Sequence, residues 1–228
     1  MSPLPLQAQL LAVLRKDLLV EWRGRSRAIG VVIYALILLL LLSFAIGPDT
    51  RALQAHAAGY IWLTVLTAST LLLAQSFTNE VEGGALEALL LLPTSPVALY
   101  YGKALANFGV LFGLSIATVA FGVVLCDLSL DGSPWTLLLV LALGCGGLAA
   151  PGTLYAGLTV RTGAQQLMLP LLMFPLVVPS LLAAVKATAL CFEPDVMGQL
   201  GSWLGVLAAF NAVYWALCGV LFIKVVDE

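Results

Sequence analysis

Six long apolar runs dominate the chain, each closed off by charge, glycine or proline. They cover residues 28–46, 57–77, 104–126, 135–158, 165–185 and 200–222. The first, Ala28–Ile46, holds 19 residues without a charge. At about 1.5 Å per residue such a helix reaches about 28 Å, enough for the hydrocarbon core of a bilayer. It is too long for the apolar part of a signal peptide, and 27 residues precede it, so it reads as a retained span. The second run carries Thr64, Thr67, Ser69 and Thr70, whose hydroxyls can bond back to helix carbonyls inside a membrane. The pattern predicts an all-α membrane protein with six transmembrane helices in a single domain over residues 1–228.

Small residues and prolines mark the later runs. The third and sixth carry Gly109-x-x-x-Gly113 and Gly201-x-x-x-Gly205, spacings that let two helices approach closely. The fourth gathers Gly144, Gly146, Gly147 and Pro151-Gly152, which predicts a kink or a close crossing. Pro170, Pro175 and Pro179 in the fifth free backbone carbonyls that a membrane helix must re-satisfy. They make this span either a bent helix or a hinge.

Two segments outside the runs are patterned. In residues 3–27, Leu6, Leu10, Leu14 and Leu18 recur every fourth position, while Gln7, Gln9, Arg15, Lys16, Asp17 and Glu21 take the other side. With Trp22 and Arg23 at its end, this amphipathic helix suits the membrane interface, or a helix packed on a partner. The stretch from Gln75 to Lys103 holds Glu80, Glu82 and Glu87 within eight residues. A helix over about 80–92, beginning at Glu80, places Glu80, Gly83, Gly84 and Glu87 on one face and Val81, Ala85, Ala88, Leu89 and Leu92 on the other. Pro93 and Pro96 end it.

Composition narrows the class. The chain is 61% hydrophobic and 10% charged, against about 25% charged in soluble domains. Its net charge of -2 offers no basic surface for nucleic acid. Arg15, Lys16, Arg23, Arg25, Arg27, Lys103, Arg161 and Lys224 fall on one side of a six-span topology, Arg51 and Lys186 on the other. This asymmetry puts both termini in the cytoplasm, and residues 80–92 in the first cytoplasmic loop, between spans two and three. Asp131-Gly132-Ser133-Pro134 then makes an external turn, and Lys186–Gln199, with Glu193-Pro194-Asp195, an external loop.

Much chemistry is missing from the sequence. Gly102-Lys103 is followed by Ala104, and no phosphate-cradling loop of the G-x-x-x-x-G-K-[ST] type occurs, so a nucleotide would have to be bound by another chain. No acidic residue interrupts an apolar run, which argues against ion-coupled transport and against a membrane enzyme. The one histidine, His56, in a short external loop, could supply a single axial ligand at most, and no metal site is predicted. Cys126 and Cys191 fall near the same outer face, where a disulfide is an alternative to apolar packing; Cys145 and Cys218 read as packing.

Several stretches together resemble the CcmB family, haem exporter protein B of cytochrome c maturation, within the ABC-2-type membrane subunits. They are Lys16-Asp17-Leu18 with Glu21-Trp22-Arg23; Phe77 and Glu80 through Gly84-Ala85-Leu86-Glu87, Leu90-Leu91-Leu92-Pro93 and on to Lys103; and Thr153-Leu154, Arg161 and Leu167–Pro170 running to Pro175-Leu176 and Pro179. The resemblance implies a permease subunit of the bacterial inner membrane, without catalytic residues or a covalently bound cofactor. Residues 80–92, with Glu80, Gly83, Gly84, Glu87 and Pro93, would be a coupling helix for an ATPase subunit like CcmA, which would bind the ATP. Partners like CcmC and CcmD would complete the assembly, and haem would pass to a periplasmic chaperone like CcmE. An ABC-2-type exporter of a lipid, polysaccharide or drug, and an assembly scaffold without an ATPase, are the alternatives.

Overall fold

The computed structural model describes residues 5–47, 49–82, 95–160, 165–193 and 195–227. Within them the chain is built of seven helices: α1 (Leu6–Arg23), α2 (Arg25–Ile46), α3 (Thr50–Glu82), α4 (Pro96–Cys126), α5 (Pro134–Thr159), α6 (Gln165–Phe192) and α7 (Leu200–Asp227). Six of them, α2 to α7, contain stretches long and apolar enough to cross a membrane. The predicted all-helical, six-span class is therefore what the chain adopts.

The helices overrun the apolar runs. α3 has 33 residues, about 50 Å, against about 30 Å of hydrocarbon. It begins at Thr50, so His56 lies in its second turn and not in a loop. It also continues through Glu80 to Glu82, so the expected helix start at Glu80 is corrected: Glu80 belongs to the closing turn of α3. α4 starts at Pro96, well before Ala104, because Ser95 is its N-cap, with Oγ accepting from the Ala98 amide at 3.2 Å, and Pro96 fills the first turn, where no amide partner is needed. α6 extends to Phe192, so Lys186 is helical and does not belong to the loop expected over Lys186–Gln199.

α5 is the hub. It packs against α3, α4, α6 and α7, while α2 lies outside, against α3 and α4. Accordingly 78% of the α5 span is buried, against 22% for α2 and for α7. The outer face of α2 presents Ile29, Ile33, Ile37, Leu41 and Phe44, all exposed and without a charge among them, as a lipid-facing stripe would be.

Close packing on α5 depends on glycine, though not on the two predicted Gly-x-x-x-Gly pairs. A Cβ on Gly144 would stand 2.0 Å from the Trp62 ring, whose Nε1 donates to Thr188 Oγ1 at 2.8 Å. Asn211 donates to the Leu143 carbonyl, and its own Oδ1 occupies the space beside Gly146. By contrast Gly113, Gly201 and Gly205 have nothing within 4 Å, and Gly109 only one leucine methyl. Those four face outward, which sequence spacing alone does not reveal.

α6 is one unbroken helix through Pro170, Pro175 and Pro179. Tyr214 donates to the Leu176 carbonyl at 2.6 Å, next to the Pro175 carbonyl that Pro179 leaves without its amide. A neighbouring helix thus supplies a hydrogen bond within the turn that proline weakens. All four cysteines are buried free thiols, so Cys126 and Cys191 are not bridged.

Candidate functional site at the α1 end of the bundle

α1 determines the character of one end. Its face toward α4 is not the leucine stripe but Gln9, Val13 and Asp17, spaced at i, i+4 and i+8. Gln9 Oε1 accepts from the Ser95 amide at 3.0 Å. Val13 sits so close to Gly102 that an added Cβ there would be 2.8 Å away, so only glycine permits this approach. Asp17 Oδ2 lies 3.1 Å from Lys103 Nζ. These pairings climb both helices in the same direction, so α1 runs alongside the first turns of α4.

Lys103 is the unexpected residue. As a flanking cation it would be expected in water, yet its side chain is only 2% exposed, and that of Asp17 is 15% exposed. Its ammonium also donates to the Ser76 carbonyl of α3 at 3.0 Å. One buried cation thereby holds three helices. A buried charge is tolerable only when paired and hydrogen-bonded, and both conditions are met here. Asp17 Oδ1 is in addition 3.2 Å from Lys16 Nζ, which is 41% exposed.

Beside this pair a small cavity of about 50 Å³ opens between α1, α3 and α4. Asp17, Glu21, Gln75, Ser76 and Asn107 supply its polar lining. Asn107 Nδ2 donates to Thr153 Oγ1 at 2.9 Å, linking the junction to α5. Meanwhile Leu6, Leu11, Leu18, Leu19 and Val20 of α1 remain exposed, so its leucine face is left over for something other than this bundle.

The predicted coupling residues lie almost wholly outside the described residues. α3 carries Glu80 in its backbone, but the Glu80 side chain lies outside the described residues, as do Gly83, Gly84, Glu87 and Pro93. Asp17 and Glu21 are placed; the side chains of Trp22 and Arg23 are outside the described set. What is visible are the two stems of residues 83–94: the end of α3 with Ser76, and the start of α4 with Ser95 and Lys103. Sequence reasoning missed Gln9, Ser76, Gly102 and Lys103. The clue was present, since Gln9, Val13 and Asp17 form an i, i+4, i+8 row that mixes polar and apolar residues and suits neither water nor lipid.

The opposite end is built differently. The loop after α4 is closed by Gln54 Nε2 donating to the Asp127 carbonyl at 2.8 Å and by the Gly132 amide donating to the Cys191 carbonyl at 3.2 Å. Asp127 ends α4 with φ 49, a left-handed cap that aspartate tolerates. Asp195 accepts from the Gln199 and Leu200 amides, both at 2.9 Å, at the start of α7. These amide bonds hold its carboxyl below the usual carboxylate range. His56 Nδ1 lies 2.8 Å from the Ala52 carbonyl of its own helix, and its ring stacks on Tyr60. No group of three or more His, Cys, Asp or Glu capable of holding a metal occurs among the described residues.

The fold and this junction define a multi-pass membrane protein whose buried charge is gathered at one end. The family described as "CcmB protein" matches residues 8–223. Heme exporter protein B of Rhodobacter capsulatus is 35% identical over 173 residues, covering 75% of this chain and 78% of that protein. The proteins of the same name from Bradyrhizobium diazoefficiens and Pseudomonas aeruginosa are 27% identical over 219 residues and 30% identical over 203 residues. They cover 95% and 86% of this chain, and 92% and 88% of their own lengths. The chain belongs to the CcmB family.

Proposed function

We propose that this chain is the membrane subunit of an ATP-driven complex that serves haem export and delivery to the periplasm for c-type cytochrome maturation. The observation that carries the reading is the family match over residues 8–223 of a chain with six membrane-crossing helices. The complex resides in the bacterial inner membrane with both termini of this chain in the cytoplasm, a reading supported by the asymmetry of its basic residues. Haem is cargo, and ATP is hydrolysed on a separate CcmA-like subunit. CcmC-like and CcmD-like subunits complete the assembly, and a CcmE-like chaperone receives the haem.

In this reading the α1 end faces the ATPase. Residues 80–92 dock on it, with Glu80 and Glu87 toward basic or donor groups and Gly83 and Gly84 allowing close approach. Movement of the ATPase pulls on the stems of that segment, and α3 and α4 tilt in response. The prolines of α6 are a secondary place where the bundle bends. Deletion of the gene is expected to abolish covalent c-type cytochromes and to leave haem-loaded chaperone accumulating, with recovery on re-expression. Normal cytochrome maturation in the deletion strain would instead assign the subunit another cargo.

A further inference from the structure

We infer that the Leu176 carbonyl, midway along α6, is an exchange point at which Tyr214 of α7 and Ser180 of α6 replace one another as hydrogen-bond donor when the proline segment bends. The inference rests only on the part of the proposed function that places a bend at the α6 prolines, and it adds the bonds that permit such a bend inside a membrane. In this structure the Tyr214 hydroxyl donates to the Leu176 carbonyl at 2.6 Å. Ser180, one turn beyond Leu176, is 1% exposed, and its hydroxyl has no hydrogen-bond partner, a state it shares only with Thr64 of α3 among the described residues. Other buried hydroxyls bond back to their own helix. Thr118 donates to the Leu114 carbonyl at 2.8 Å and Thr153 to the Ala149 carbonyl at 2.7 Å, each one turn earlier. The equivalent acceptor for Ser180 is the Leu176 carbonyl, and Tyr214 holds it. The Ser180 hydroxyl is turned instead toward α5, 2.7 Å from where a Cβ on Gly147 would stand.

The proline register offers the displaced tyrosine a second acceptor. Pro179 has no amide, so the Pro175 carbonyl lacks its helical donor, and it lies about 1.5 Å along the axis from that of Leu176. Pro175 and Pro179 are on the exposed side of α6, whereas Ser180 is buried. A roll of α7 toward that exposed side carries the Tyr214 hydroxyl from Leu176 to Pro175. A turn about χ1 then brings the Ser180 hydroxyl onto Leu176. Before the exchange one donor and one acceptor are unmatched; after it both are matched. The motion therefore strands no polar group in hydrocarbon that the observed arrangement had satisfied. Asn211, one turn before Tyr214 on α7, donates to the Leu143 carbonyl of α5 at 2.7 Å and supplies the pivot.

The test follows the Leu176 carbonyl by NMR in the full-length chain in lipid nanodiscs. Leucine isotope-labelled at its carbonyl and valine labelled at its amide nitrogen select the leucines that precede valine, which are Leu19, Leu139 and Leu176. Leu19→Ile and Leu139→Ile, both at exposed positions, remove the other two signals. The remaining carbonyl is expected to show exchange on the microsecond-to-millisecond scale. Ser180→Ala should lower the population of the second state about tenfold, the effect of withdrawing one hydrogen bond. Tyr214→Phe should give one carbonyl signal that keeps its side-chain hydrogen bond, now from Ser180. Only Tyr214→Phe combined with Ser180→Ala should move that signal upfield, to the position of a carbonyl without such a bond. Equal carbonyl shifts in Tyr214→Phe with and without Ser180→Ala overturn the exchange of donors. Exchange that persists unchanged in Ser180→Ala also overturns it, while leaving the bend at the prolines intact. A Leu176 carbonyl without exchange in the unmodified chain removes the bend and the inference together. None of these results bears on the role in haem export, which the deletion strain decides. Ser180→Ala removes a single oxygen, so it decides the matter even where Tyr214→Phe fails to fold.

Discussion

The two ends of the bundle handle polar groups in opposite ways. At the α1 end, a buried cation pairs with a half-buried carboxylate of another helix, and three elements depend on them. At the other end exposed polar groups close the turns without a buried charge, as Gln54 of α3 does at the Asp127 carbonyl and Asp195 does at the start of α7. Exposed bonds of this kind can be exchanged for bonds to water. A buried cation makes its elements answer to one another, because losing the Asp17 carboxylate would strand the Lys103 ammonium away from water. In the proposed reading the α1 end is the working end and the other a closure.

The largest effect should follow from breaking the buried pair. Asp17→Leu alone is expected to cost about 3–5 kcal/mol of stability, because it leaves the buried Lys103 ammonium without its carboxylate, whereas Lys103→Met leaves Asp17 still beside Lys16. The double variant Asp17→Leu with Lys103→Met should recover most of that loss, since apolar replacement of both members is often close to neutral. Denaturant titration of the purified protein in detergent measures both. Equal losses in the single and double variants would mean that packing, not charge, holds the junction.

Gly144→Ala probes the region between the ends. The added methyl meets the Trp62 ring, and overpacking of this kind costs about 1–3 kcal/mol. Because it touches neither end, it should lower thermal stability and leave ATPase co-purification unchanged. At the closure end Gln54→Ala should cost about 1 kcal/mol or less, one neutral hydrogen bond that water can replace.

The smallest effect should come from pH at Asp195. Its carboxyl titrates below the ordinary range because it accepts from backbone amides. Its contribution to the start of α7 is therefore complete above the usual carboxylate pKa and fades as pH falls through its lowered one. Above the usual carboxylate range no change is expected. Acid titration of an Asp195→Asn variant should lack the small low-pH component that the unmodified chain shows.

The spans were legible in the sequence because six uncharged apolar runs of membrane length are too much surface for a soluble core to hide. The end of α3 was hidden because its turns, from Gln75 to Glu82, are polar in composition, and the start of α4 because Pro96 and Gly102-Lys103 interrupt its apolar pattern; Ser76 and Lys103 tie the two together. Lys103 was legible as a charge near a membrane boundary, yet its partner is 86 residues away, and no local pattern announces such a pairing. Likewise the two Gly-x-x-x-Gly pairs looked like crossing points, while the crossings use Gly102 and Gly144, whose partners Val13 and Trp62 lie far off in the chain. The row of Gln9, Val13 and Asp17 was the one local hint that α1 faces protein on its mixed side.

The most direct test of the claim that this end meets an ATPase is reversal of charge in the docking segment. Glu80→Lys with Glu87→Lys is expected to abolish co-purification of the ATPase subunit while the membrane subunit still folds and inserts. Co-purification and cytochrome maturation at normal levels in the reversed variant would contradict the account.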